Sequence, residues 1–328
     1  MKKIFALLLS AALLVTLLAA CGGGNTTDTD TDTQEPATDA STTQVEEQEP
    51  DTGDASKDDP LNQDEIGEKE LLVVSFGTSY NDSRRETIGA IEKAMQTAFP
   101  DYSVRRAFTS QIIIDHVKDR DGVTIDNVEQ ALERAVNNGV KTLVVQPTHL
   151  MNGLEYEELT DELAKYSDSF EKIAIGDPLL TSDADFEAVM TAITDATKDA
   201  ADGKTAICFM GHGTTADSNS VYSKMQTLLT DKGFNDYYVG TVEATPSLDD
   251  VLAAVQKGNY EKVILRPLMI VAGDHANNDM ADTEDPDSFA SKFIAAGFEV
   301  ECVVEGLGQL VAIDDIYVRH VADAINQL

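Results

Sequence analysis

From Glu70 onward the chain alternates short apolar, β-branched runs with longer amphipathic stretches rich in Ala, Glu and Lys. The apolar runs predict strands at Leu71–Ser75, Ser103–Phe108, Thr142–Gln146, Lys172–Ile175, Thr205–Phe209, Tyr237–Val242, Lys262–Arg266 and Glu299–Val304. Between them, apolar positions at helical spacing predict helices over Ser83–Ala98, Ile125–Asn138 (capped by Asp126), Tyr156–Tyr166 and Asp185–Ala200. Ser218–Lys232, Ser247–Lys257, Ser288–Ala296 and Ile313–Asn326 complete the set. Strands that are apolar without alternation belong to parallel sheets with both faces covered by helices. The expected fold class is therefore α/β.

The pattern also repeats once. Leu72-Val73-Val74-Ser75-Phe76-Gly77-Thr78-Ser79 matches Ala206-Ile207-Cys208-Phe209-Met210-Gly211-His212-Gly213. The run from Val145 through Glu155 parallels that from Leu265 through His275, so that Thr78 aligns with His212 and Glu155 with His275. Two related α/β lobes, over 67–202 and 203–328, are expected, with a cleft lined by the carboxyl ends of the strands.

Upstream of this pattern the chain changes character. Lys2 and Lys3 precede an apolar run from Ile4 to Leu18, which ends in Leu18-Ala19-Ala20-Cys21. About 15 apolar residues fall short of the roughly 20 that span a bilayer. Residues 1–20 read as an export signal of the lipoprotein type, with Cys21 the lipidated new N-terminus and the mature chain on the extracytoplasmic face. The plainer alternative is an ordinary signal with an incidental cysteine. Residues 21–66 then read as a lipidated Cys followed by a flexible acidic tether. Residues 22–60 hold twelve acids against Lys57 and almost no large apolar side chain, too little to offset the entropy of ordering.

Composition narrows the function classes. The net charge of −35 leaves −26 on residues 61–328, which excludes a nucleic-acid partner, since phosphate binding needs a basic face. Divalent cations would be attracted instead. The three cysteines contain no close pair, so neither a Cys-rich zinc module nor a disulfide scaffold is present. Cys208 and Cys302 fall in strand runs and read as small buried hydrophobes.

Candidate chemistry sits just after the strands. Met210-Gly211-His212-Gly213-Thr214 holds an imidazole in a glycine-flanked turn, Val242-Glu243 a carboxylate after the next strand, and Gly273-Asp274-His275 a second imidazole after the following one. Two neutral imidazoles and a carboxylate suit an intermediate divalent ion such as Co²⁺, Fe²⁺, Ni²⁺ or Zn²⁺. The bland alternative is three unrelated turn residues. Phe76, Met151, Met210, Met269 and Met280 read as either the apolar wall of a ligand site or ordinary core. His116 and His320 lie on helical patterns among charged residues and are expected to be solvated.

Val73 through Ser79, Ala107-Phe108-Thr109-Ser110, Met210 through Gly213, Val242-Glu243 and Ala272-Gly273-Asp274-His275-Ala276-Asn277-Asn278-Asp279-Met280 together resemble the anaerobic cobalt chelatase family. Its members are class II tetrapyrrole chelatases that insert Co²⁺ into sirohydrochlorin on the way to cobalamin. The resemblance implies two Rossmann-like lobes clamping the macrocycle. It assigns His212, Glu243 and His275 to the metal, and His212 and Glu155 to proton transfer. Phe76, Gly77, Thr78, Ser79, Gly211 and Gly213 then contact the substrate. No organic cofactor is implied; Co²⁺ is a substrate, with Fe²⁺ or Ni²⁺ as alternatives. The expected partners are a tetrapyrrole, the divalent ion and the membrane through the lipid alone, with homo-oligomerisation left open. Arg105, Arg106 and Arg266 are candidates for the ring carboxylates. His149 is a candidate axial haem ligand, a hydrogen-bonded strand-end side chain being the simpler reading. The rival class is a tetrapyrrole-, haem- or metal-binding lipoprotein without turnover, such as a solute-binding protein.

Overall fold

The computed structural model describes residues 51–328, and the signal, Cys21 and most of the expected tether lie outside them. Two parallel four-stranded sheets carry the fold. The first is built from β1 (Lys69–Ser75), β2 (Ser103–Phe108), β3 (Thr142–Pro147) and β4 (Lys172–Ile175), the second from β5 (Thr205–Gly211), β6 (Tyr237–Thr241), β7 (Lys262–Pro267) and β8 (Glu299–Cys302). Their strand orders, β2-β1-β3-β4 and β6-β5-β7-β8, are the same order twice. Duplication is thus visible in topology as well as in sequence.

Strand register refines the repeat. Lys69 pairs with Thr142 as Thr205 pairs with Lys262, and Val74 with Pro147 as Met210 with Pro267. The two central strands therefore superpose two residues away from the alignment read from sequence. Phe76, rather than Thr78, is the positional counterpart of His212, whereas β3 and β7 keep the offset that aligns Glu155 with His275. The sequence alignment slipped because Gly77 and Gly211 were matched as if they marked the same turn.

Helices α1 (Asn81–Glu86), α2 (Ile88–Ala98), α3 (Gln111–Asp121), α4 (Val128–Asn137), α5 (Leu154–Lys165) and α6 (Asp183–Thr197) follow the first four strands. Helices α7 (Ser220–Asp231), α8 (Leu248–Val255), α9 (Phe289–Ala295) and α10 (Val311–Ile325) follow the others. The cap of α4 is Asn127, in a reciprocal box with Gln130, and not Asp126. Asp126 instead takes both prongs of Arg134 at 2.7 and 3.0 Å.

Sequence order does not decide which sheet a helix covers. The last helix, α10, returns to pack on α2, β3 and β4 of the first lobe, while α6 packs on α7 of the second. The Thr197 hydroxyl meets that of Tyr237 at 2.8 Å. One apolar cluster consequently runs from Leu71 and Val73 through Phe186 and Tyr317 to Ile207 and Phe209, joining the lobes.

The first part of the described chain corrects the tether. Residues 51–66 pack on the first lobe, although the tether was expected to run to residue 66. Asp58 accepts from Arg84 at 2.6 Å and from Arg106 at 2.7 and 3.0 Å, and Leu61 is buried. Its carbonyl accepts from Arg105 Nε at 2.8 Å. Buried guanidiniums need anionic or carbonyl partners, and part of the acidic run supplies them.

Candidate active site

The first imidazole is held by a tight turn. β5 ends at Gly211, where a Cβ would lie 2.1 Å from the Tyr222 ring. Gly213 has φ +89°, a backbone state that glycine adopts without penalty. Between them, His212 Nδ1 stands 2.8 Å from the Gly213 carbonyl oxygen. A carbonyl only accepts, so Nδ1 carries the proton in this bond and Nε2 is left available.

The neighbouring loop is tied to that turn. Val242 N–H donates to the Gly211 carbonyl at 3.0 Å and Glu243 N–H to the His212 carbonyl at 2.9 Å. Glu243 is thereby placed with Oε1 3.8 Å from His212 Nε2. His275 arrives from the loop after β7. Its ring meets that of His212 edge to face, with centroids 4.5 Å apart and planes at 65°. The first lobe helps set this loop, because Ala272 N–H donates to Ser83 Oγ of α1 at 2.9 Å.

The three side chains expected at the metal therefore meet. Each is accessible: 37% of the His275 side chain, 46% of His212 and 59% of Glu243 face solvent. Among the described residues, no three His, Cys, Asp or Glu side chains are already drawn to the spacing of a bound ion. The cluster is thus an open constellation, with Glu243 exposed beside the His212 ring. Such a site suits an ion that is taken up and passed on better than one held for structure.

The remaining expectations divide. Glu155 is exposed in the first turn of α5. A Cβ on Gly153 would lie 3.6 Å from its carboxylate and 3.7 Å from Ser218 Oγ of the second lobe. Phe76 is 48% exposed beyond β1, an uncommon setting for so large an apolar ring. Gly77 and Thr78 are buried and Ser79 half-buried. The close approach of Thr78 Oγ1 to Gly273, 2.9 Å from where a Cβ would sit, makes it part of the contact between lobes. Met210 and Met280 are core side chains, whereas Met151 and Met269 are partly exposed.

Three expectations are corrected. Arg105 and Arg106 are buried, with Arg106 bonded to Glu92 and Asp58, and Arg266 pairs with Glu305 at 2.7 Å. Internal carboxylates and carbonyls occupy the guanidiniums proposed for the ring's acid groups. His149 has both ring nitrogens buried without a partner. It is neither the hydrogen-bonded side chain of the simpler reading nor an open axial ligand. Burial pushes its imidazole down to about 4, against the pull of the Glu155 carboxylate. His320 is buried instead of solvated, its Nε2 3.0 Å from Asp185 and its Nδ1 3.0 Å from the Asp177 carbonyl. The strong apolar face of α10 carries it inward. His116 is exposed, and Cys208 and Cys302 are free thiols, the first buried and the second half-buried.

Sequence reasoning missed Ser83 and Tyr222. The Tyr222 hydroxyl accepts from the Gly213 N–H at 3.3 Å. The small residues opposite them, Gly211 and Ala272, were the only available hints.

Two duplicated parallel sheets, with two imidazoles and a carboxylate meeting at the strand ends of one, suit a metal chelatase. The family model described as Cobalt chelatase (CbiK) matches residues 69–326, and the chain belongs to that family. It is 37% identical over 258 residues to a sirohydrochlorin cobaltochelatase of Salmonella typhimurium, covering 79% of this chain and 97% of the relative. It is 30% identical over 262 residues to sirohydrochlorin cobaltochelatase CbiKC of Nitratidesulfovibrio vulgaris, covering 79% and 92%. In fold it is similar to SirB from Bacillus subtilis with Fe³⁺, at TM-score 0.57 and 15% identity, over 80% of this chain and 97% of that one. SirB of Bacillus subtilis subspecies spizizenii, described as a sirohydrochlorin chelatase in complex with cobalt, aligns at TM-score 0.55 and 15% identity, over 79% and 97%. At that identity the likeness is one of fold alone.

Proposed function

We propose that this protein inserts a divalent metal ion, Co²⁺ in the first place, into sirohydrochlorin in cobalamin synthesis. The observation that carries this is the meeting of His212, Glu243 and His275, brought by three separate strand ends to one accessible place. Metallation exchanges one M²⁺ for two pyrrole protons. The donors that present the ion must hold it while water leaves and then release it, and an open pair of imidazoles with an exposed carboxylate does this. The free Nε2 of His212 is placed to accept one of the protons. Exposed Glu155, on the facing lobe, is suited to pass protons to solvent.

The duplication assigns the lobes different tasks. Where the second lobe carries His212 and His275, the first carries Phe76 and Glu155. The exposed Phe76 ring supports a reading in which the flat macrocycle lies toward the first lobe while the ion arrives from the second. The family match begins at residue 69, downstream of the leader and the acidic segment. The basic start, apolar run and Leu18-Ala19-Ala20-Cys21 motif support lipid anchoring at Cys21 on the extracytoplasmic face.

Metallation of sirohydrochlorin, followed by its absorption change, tests the proposal with Co²⁺, Fe²⁺ and Ni²⁺. His212→Ala and His275→Ala are each expected to lower the Co²⁺ rate by about 10²-fold or more, the lower end of what a positioned acid–base group contributes. Ring binding with no metallation, unaffected by either substitution, would instead identify a binding protein.

A further inference from the structure

We propose that Asp279 is a positioning residue that fixes which nitrogen of His275 faces the metal ion and strengthens it as a donor; this rests on the reading of His275 as a metal-presenting group. Asp279 Oδ2 lies 2.6 Å from His275 Nδ1. A carboxylate only accepts, so the bond places the proton on Nδ1 and leaves the Nε2 lone pair for the ion. A carboxylate behind an imidazole also orients the ring and raises its basicity as a ligand.

The local backbone exists to make this pairing. Ala276–Met280 forms a single π-helical turn, a rare geometry that concentrates at functional sites. Ala276 and Met280 are buried and pin the turn to the second lobe. Asn277 Nδ2 donates to the Gly273 carbonyl and Asn278 Nδ2 to Asp274 Oδ1, each at 2.8 Å. Every polar side chain from Asp274 to Asp279 is thus engaged in shaping the loop or in backing the imidazole.

The two imidazoles are therefore not equivalent. His212 is backed by a neutral carbonyl, whereas His275 is backed by an anion. His275 holds the ion more firmly, and His212 holds it more loosely and is freer for proton transfer.

The test is Co²⁺ binding to the full protein without tetrapyrrole, read by titration calorimetry and the Co²⁺ d–d spectrum, followed by steady-state metallation. Asp279→Ala is expected to weaken Co²⁺ binding about 10- to 100-fold and to raise KM for Co²⁺ while leaving KM for the ring unchanged. Asp279→Asn keeps an acceptor and is expected to recover most of the affinity. Wild-type affinity in Asp279→Ala, where His275→Ala has lost it, overturns the role of Asp279. Undiminished binding in His275→Ala overturns the metal site itself. Imidazole ¹H–¹⁵N spectra of the wild-type protein give an answer that needs no variant: a His275 proton on Nδ1 supports the proposal, and one on Nε2 contradicts it.

Discussion

Individual residues show how an acidic chain buries charge. Arg106 is enclosed by Glu92 and Asp58, with three contacts at 2.7 Å. Burial works against the ionisation of Asp58, but hydrogen bonds from Arg106 and Arg84 bring its carboxyl below the ordinary value. Glu70 is the opposite case. It is buried with Oε2 unpartnered, and burial pushes it up to about 7, although Arg105 pulls the other way. Its carboxyl is therefore neutral in the folded state at pH 5 and ionised at pH 8, whereas the unfolded chain ionises it near 4.5. The stability it contributes is fully present below 4.5 and lost as pH rises through 7. Glu70→Gln should match the wild type at pH 5 and exceed it at pH 8, by about 1–3 kcal/mol, the cost of an unsatisfied buried polar group. Urea unfolding at the two pH values checks this; equal stability at both would refute it.

At the scale of elements, the strands and most helices were legible, but α3 and the break between α1 and α2 were not. β2 and β4 have the bounds read from the sequence, although β2 buries Arg105 and Arg106 within its run and β4 is only half-buried. α3 falls outside every helix the pattern delimits. It buries only Ile114 and Val117, and its Ile112 is 83% exposed, so no clear stripe marks it. The expected helix over Ser83–Ala98 is broken at Thr87, whose hydroxyl bonds back to the Ser83 carbonyl at 2.6 Å. That break admits the chain at Gly308, where a Cβ would lie 2.9 Å from Thr87. Such contacts between distant segments leave no periodic trace. The glycine-flanked turn at His212, by contrast, was readable, and it yields a prediction. Gly211→Ala forces the Tyr222 ring aside, and with it the acceptor for the Gly213 N–H. It should destabilise by about 1–3 kcal/mol, the usual cost of overpacking, and lower metallation. An unchanged urea midpoint with full activity would count against the tight turn as the device that sets His212.

Across the whole molecule, duplication followed by divergence accounts for both architecture and site. Two copies of one strand order are fastened together by α6 and α10, each packed across the order in which it occurs in sequence. The sequence showed the repeat and the three candidate side chains but not the helix crossing, because an apolar face does not say which sheet it covers. Nor did it make Phe76 the counterpart of His212, which required the register of the ladders. The same divergence leaves one lobe with imidazoles and the other with an exposed aromatic ring and a carboxylate.

A crystal of the protein soaked in Co²⁺, measured on both sides of the cobalt absorption edge, is the most direct test. One anomalous peak about 2 Å from Nε2 of both His212 and His275, the span of an imidazole–metal bond, with Glu243 drawn toward it, is the predicted result. Cobalt bound elsewhere, with these two rings unligated, would contradict it.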